Sequence, residues 1–369
     1  MTTGFRFNHV LSSREDTRSP NAPLGPLAAL AGKTFTNAEG TFGFNQIFRP
    51  DSEQTPTTFP VMPPGTPNNV LELNITSETL RFGQQLGSIP NRGEVQKDAF
   101  LNGFTYLQMI DDVTDPKNPV GIHAESGFWV HVPATQNPPQ QESVFRQGSI
   151  PHGTQICAQG VFQTFDGPPM IPPVNVGFAT PPSGITPFRV NTGPGTHGVP
   201  AELHPQASQV ASATNTPRIP QVLPASITKE VLEDPNTLLR NAIAGLDVIS
   251  TTEIQIATEA DFSLGILASL SPAFFAGGVT NIDFLVGSAD AAANSNTDTT
   301  DENALADSML ATFWILTVPV SGKSGHTTTY LAYSQWVRLE FGRADSVPDE
   351  GLYWPHVSVN LMVQQDRRQ

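Results

Sequence analysis

At 369 residues, with a formal charge of −15 and only 14% charged residues, the chain repels phosphate backbones and anionic headgroups, so neither nucleic acid nor a membrane surface is an expected partner. No stretch approaches the roughly 20 apolar residues that span a bilayer, and the opening residues 1–18 are too polar for a secretion signal. The single cysteine, Cys157, excludes an internal disulfide and a thiolate metal site, and it points to a reducing, cytoplasmic location.

The 34 prolines and 30 glycines indicate many short segments joined by turns, which favours strands over long helices. Residues 1–30 lack periodicity and read as a flexible arm, so the folded domain is expected to run from 31 to 369. Residues 32–48 (GKTFTNAEGTFGFNQIF) alternate aromatic and small residues and read as a strand pair. Further alternations occupy 70–82, 104–113, 121–133 and 143–162, each bounded by Pro, Gly or Asn, with Cys157 expected as a buried small hydrophobe in the last.

Pro-Pro pairs at 168–169, 172–173 and 181–182 make residues 166–226 unable to sustain a ladder, and this insertion is expected as a long loop or a lid over a cavity mouth. Residues 236–246 (NTLLRNAIAGL) shift to a helical period, with Asn236 or Thr237 as the cap. A second short helix is expected over 302–310, after a polar loop at about 288–301. Strand character returns at 253–258, 280–286, 312–320, 328–341 and 356–364. Counting the opening stretch once gives ten strands, five on each side of the insertion. The halves show no repeat, so one all-β, antiparallel ten-stranded barrel with long insertions is preferred over two packed barrels.

Two segments concentrate chemistry. In 121–129 (GIHAESGFW), His123 and Glu125 stand two apart and share a strand face. Facing inward, they would need each other or a ligand; facing outward, they would leave Ile122, Ala124 and Ser126 to the core. His356 follows Trp354-Pro355 at the start of the last strand, a rigid and apolar setting that suits axial ligation of haem iron, although an isolated His is more often a surface or core residue. His152, the Gly-rich 192–198, and the Glu202 and His204 pair lack the context of a known motif. Asp111 and Asp112 point to opposite faces and read as rim charges.

The run His123-Ala-Glu-Ser-Gly-Phe128 resembles a mid-domain strand of the nitrobindin and THAP-type haem-binding family, and Pro355-His356-Val357 is similar to that family's C-terminal strand. The stretch from Gly32 to Phe44 looks like its Gly- and aromatic-rich first strand. The resemblance implies a ten-stranded calycin-like barrel carrying haem b, with His356 as the proximal iron ligand, His123 on the distal side, Glu125 orienting it, and Trp354 and Phe128 in the pocket. It also implies reaction with or binding of nitric oxide, peroxynitrite or peroxide, as a haem-dependent isomerase or peroxidase-like activity. The alternative is a haem-free calycin or lipocalin-like barrel that binds or transforms an apolar small molecule. A structural or interaction domain is a third reading. A homo-oligomer is compatible with each.

Overall fold

The computed structural model describes residues 22–51, 68–92, 97–137, 139–150, 154–174, 227–228, 230–231, 234–258, 278–281, 305–342 and 351–365. A one-turn-and-a-half 3-10 helix, Gly25–Ala29, comes first. The strands before the Pro-rich insertion are β1 (Thr34–Asn37), β2 (Gly43–Asp51), β3 (Asn68–Phe82), β4 (Ile89–Asn91), β5 (Ala99–Asp112), β6 (Val120–Val132), the two-residue β7 (Thr135–Gln136) and β8 (Pro139–Gln140), β9 (Ser143–Ile150) and β10 (Thr154–Asp166). After it come α1 (Asn236–Ile243), β11 (Ser250–Ala257), β12 (Gly278–Asn281), β13 (Leu305–Pro319), β14 (Thr327–Gly342) and β15 (Gly351–Gln364).

These strands close into one antiparallel barrel in the order β2-β15-β14-β13-β11-β10-β9-β6-β5-β3, with β3 returning to β2. Ten staves make the ring, as the sequence predicts, although the tally is reached differently. Residues 143–162 form two staves, β9 and β10, paired antiparallel with Thr154 opposite Ile150. Of the strand expected at 280–286, residues 280 and 281 belong to the short β12, which continues the β11 stave alongside β10, and 282–286 lie outside the described residues.

The opening strand pair is likewise a single stave. Both β1 and β2 run antiparallel to β3 and to β15, one after the other, so residues 38–42 interrupt the strand and do not reverse it. Gly40, at φ 74°, supplies the left-handed backbone this detour requires.

Strand alternation divides the apolar residues between the two sides of the wall. Phe35, Leu80, Phe104, Trp129, Ile254, Phe313, Ile315 and Leu331 fill the lumen. Phe44, Trp314, Leu316, Trp336, Val357, Val359 and Leu361 point outward, yet they too are buried. Their cover is α1, through Leu239 and Ile243, together with Ile171, Val174, Ile227 and Val231 from the two ends of the insertion. Asp234 fixes this cover: its Oδ1 accepts the backbone N–H of Asn236 and of Val174, and its carboxylate pairs with Arg240. The expected cap residues, Asn236 and Thr237, are therefore inside the helix, and Asn236 Nδ2 instead donates to the Pro172 carbonyl at 2.8 Å.

One end of the lumen is plugged. The 3-10 helix buries Leu27 and Leu30 among the lumen residues, and its leading strand is pinned by Asn102 Nδ2 to the Ala22 carbonyl and by Ala22 N–H to Ser88 Oγ. His131, itself buried, donates from Nδ1 to the Pro23 carbonyl at 2.8 Å while Nε2 meets the Glu142 carboxylate at 2.5 Å. Packing thus begins by Ala22, earlier than the boundary near Gly32 that the sequence suggests. The insertion after β10 leaves from this plugged end, and its described ends lie on the outer wall, not over the opposite mouth; residues 175–226 and the polar loop at 288–301 fall outside the described residues.

The second expected helix is absent where described: residues 305–310 are the start of β13, with Met309 opposite Val337 and Leu310 opposite Trp336. A short helix there would leave the β14 ladder unpaired and Met309 out of the lumen, so tertiary pairing outweighs the local polar start signal.

Candidate functional site

The lumen is apolar near the plug, polar and apolar residues share its wall towards the mouth, and a layer of buried charge lies between the two halves. At its centre is Arg146 of β9, 2% exposed. Its guanidinium donates from Nη2 to Glu125 Oε1 at 2.7 Å, from Nη1 to Gln335 Oε1 at 2.6 Å and from Nε to the Tyr106 hydroxyl at 3.2 Å. The rings of Tyr106, Trp129 and Phe313 lie 5.5, 5.7 and 5.6 Å from its central carbon. A cation held this deep is tolerable because every face meets either an acceptor or an aromatic quadrupole. Gly148 makes room for the cluster, since a Cβ there would meet Glu125 Oε1 at 2.3 Å.

Glu125 also accepts from the Tyr106 hydroxyl and from His123 Nε2–H, the latter at 3.3 Å. Burial pushes its carboxyl up, but Arg146, with His123 and Tyr106, outweighs this and holds it down at about 2. The second carboxylate, Glu78 of β3, has no such cation. It accepts from Gln108 Nε2 at 2.7 Å, the Tyr333 hydroxyl at 2.7 Å and Asn360 Nδ2 at 2.8 Å, contacts that reach β5, β14 and β15. Burial dominates there and raises the Glu78 carboxyl above its ordinary range despite the three donors. One lumen thus holds two buried carboxylates pushed in opposite directions, the arrangement by which acid and base roles are separated.

On the mouth side, His356 is fixed by a directed chain of hydrogen bonds. Asn74 Nδ2 donates to Glu72 Oε1 at 3.1 Å and to Asp112 Oδ2 at 2.9 Å, so its amide oxygen must face the other way, where it accepts from Asn45 Nδ2 at 3.0 Å. Asn45 therefore presents its own oxygen to Ser358 Oγ and to His356 Nε2, and the His356 ring carries a proton on Nε2. Carboxylates that can only accept thus set the tautomer of an imidazole two amides away.

The sequence-predicted residues separate under this geometry. His123, Glu125 and His356 all face the lumen, on staves four positions apart around the ring. His123 is 15% exposed and Glu125 is fully buried, which settles the two open readings of that strand in favour of the inward one. Phe128 does not join them: an odd number of residues from His123, it points out of the barrel and is 41% exposed. Trp354 lies on β15 opposite Leu339, and its side chain falls outside the described residues. Cys157 is not a core residue; it sits half-buried on the outer face between Gln147 and Gly278, and partial burial raises its thiol. His152, residues 192–198, Glu202 and His204 lie outside the described residues.

Arg146, Glu78, Tyr106, Tyr333 and the Asn45–Asn74 pair are not anticipated from the sequence. A usable signal existed for Arg146, which stands in phase with Val144 and Ile150 on an alternating strand.

No protein-family model, no curated protein and no solved structure matches the chain. No helix among the described residues is long and apolar enough to cross a membrane. Nor do the described residues contain a group of three or more His, Cys, Asp or Glu able to hold a metal ion, although an axial haem ligand needs only one histidine.

As arranged here, the residues around His356 do not fit such a ligand. The Asn45 chain makes Nε2 a donor, so iron at that nitrogen and the Asn45 bond exclude each other, and Asn45 and Ser358 add polar neighbours to the apolar Val337 beside it. What the arrangement offers instead is a bank of oriented amide, hydroxyl and imidazole groups above a closed charged layer. His123 is held in place by its Nε2–H bond to the ionised Glu125 carboxylate.

Proposed function

We propose that this barrel binds a small molecule rich in hydrogen-bonding groups at the polar half of its lumen, with His123 and Glu125 able to act as an acid–base pair on it. The observation that carries this reading is the cluster of inward polar side chains on the mouth side of the Arg146 layer. Below that layer the lumen is packed mainly with aromatic and aliphatic side chains; above it His123, Gln335, His356 and Ser358 face inward and remain within reach of solvent, sharing the wall with Ile150, Met309 and Val337. A lining of this kind favours a ligand with polar groups over a wholly apolar one, because unmatched buried donors and acceptors cost binding energy.

Native mass spectrometry of the purified full chain tests it. The expected spectrum shows a bound small molecule that is lost in a Gln335→Leu, Ser358→Ala variant of unchanged circular dichroism. A ligand-free wild type whose melting temperature is moved by no polar compound in a broad panel would overturn the reading.

A His-ligated haem is a second reading, favoured by two inward histidines on opposite sides of the lumen. It requires His356 to give up Asn45. On this reading ferric haem produces a Soret band with the wild type, a weaker one with His356→Ala, and a stronger one with Asn45→Leu, which releases the ring. Equal spectra from all three proteins would remove it.

A further inference from the structure

Among the described residues the barrel covers one side of its outer wall and leaves apolar side chains exposed on another. Over β13, β14, β15 and β2 the outward apolar residues are buried by α1 and the ends of the insertion. Over β5 and β6 no comparable cover is found among the described residues: Leu107 is 39% exposed, Met109 43% and Phe128 41%. These three side chains are neighbours, because Leu107 pairs with Ser126, Met109 with Ala124, and Phe128 with Thr105. The surrounding outward residues are Thr79 on β3 and Gln147 and Ser149 on β9, so the patch continues as an uncharged surface bounded by Arg81 and Asp111.

From this face we infer that the protein self-associates, two copies packing β5–β6 against β5–β6 about a twofold axis. Two observations favour a second copy over another occupant. The chain carries a charge of −15, so two copies repel each other over most of their surfaces and approach at least cost through a neutral one. The face is complementary to itself: an axis beside Ser126 sets Phe128 of one copy over Ala124 of the other, large against small, as an isologous contact requires.

Sedimentation of the full chain at micromolar concentrations tests the inference. The wild type is expected at twice its 39.6 kDa chain mass, and Phe128→Asp and Leu107→Asp at 39.6 kDa with unchanged circular dichroism, their self-association weakened at least tenfold. In a Cys157→Ser background, Ser126→Cys beside the axis should be joined by a short bis-maleimide, whereas Thr164→Cys, exposed elsewhere, should not. A monomeric wild type, a dimer indifferent to both aspartates, or equal cross-linking at both cysteines would each overturn it.

Discussion

Arg146 is the residue on which the interior depends, and the reason is asymmetric. A buried ion pair adds little over a well-packed apolar pair, but removing one partner strands the other. Arg146→Met should therefore cost about 3–5 kcal/mol in urea unfolding, because Glu125 is left buried without its cation. Adding Glu125→Gln should recover a large part of that loss, and a double variant as unstable as the single one would contradict the role given to the pair. The two carboxylates also give opposite pH dependences. Glu125, held at about 2 from an ordinary 4.5, contributes stability that is complete above pH 4.5 and lost as the pH falls towards 2. Glu78, raised above 4.5, contributes stability that is present below that value and lost as the pH rises. Unfolding curves from pH 2 to 7 should show the wild type's advantage over Glu125→Gln shrinking towards acid, and its advantage over Glu78→Gln shrinking towards neutrality. Parallel curves would refute both assignments.

At this scale the sequence is only partly legible. The spacing of His123 and Glu125 shows that they share a face, and their parity against Trp129 identifies the face, since both are inward. The same parity already separates Phe128 from them. What spacing cannot show is which residues of distant strands meet, and the partners of Glu78 lie 30, 255 and 282 residues away.

Among the elements, the 3-10 plug is where sequence and structure differ most usefully. A stretch as short as LGPLAAL, broken by Pro26, carries too little periodicity to be recognised as core. It is buried because the plugged end of the barrel offers Phe35, Phe82 and Phe104 a cover that only an apolar turn can provide. A variant lacking residues 1–21 should melt like the full chain, whereas one lacking residues 1–31 should bind the dye ANS and melt much lower. Equal melting of the two truncations would show that the plug is dispensable. The interrupted staves were legible as strands but not as shared ones, because a detour such as residues 38–42 has the same Gly-rich composition as a hairpin turn.

For the whole molecule, the ring of ten staves was legible because alternation between Pro- and Gly-rich breaks is a period that short strands cannot disguise. The position of the long insertion was not, since only the direction of β10 shows that its C-terminal end lies at the plug. The charge of −15 has its own consequence at this scale: self-repulsion in the compact state should be relieved as the screening length falls from about 30 Å to about 8 Å between 0.01 and 0.15 M salt. Thermal unfolding should move upward over that range, and a downward shift would mean that attractive surface pairs dominate instead.

The barrel is sealed by contacts between its first and last staves: Asn37 donates to Asn360, and Gln365 N–H donates to the Thr34 carbonyl. During synthesis, therefore, the β1–β2 stave must wait for β15 to leave the ribosome, a delay of about 20–70 s at roughly 5–20 residues per second. Until then β2 and β14 present two unsatisfied edges at opposite sides of an open sheet. The growing chain is thus most exposed to aggregation, and most in need of a chaperone, in the interval before β15 emerges.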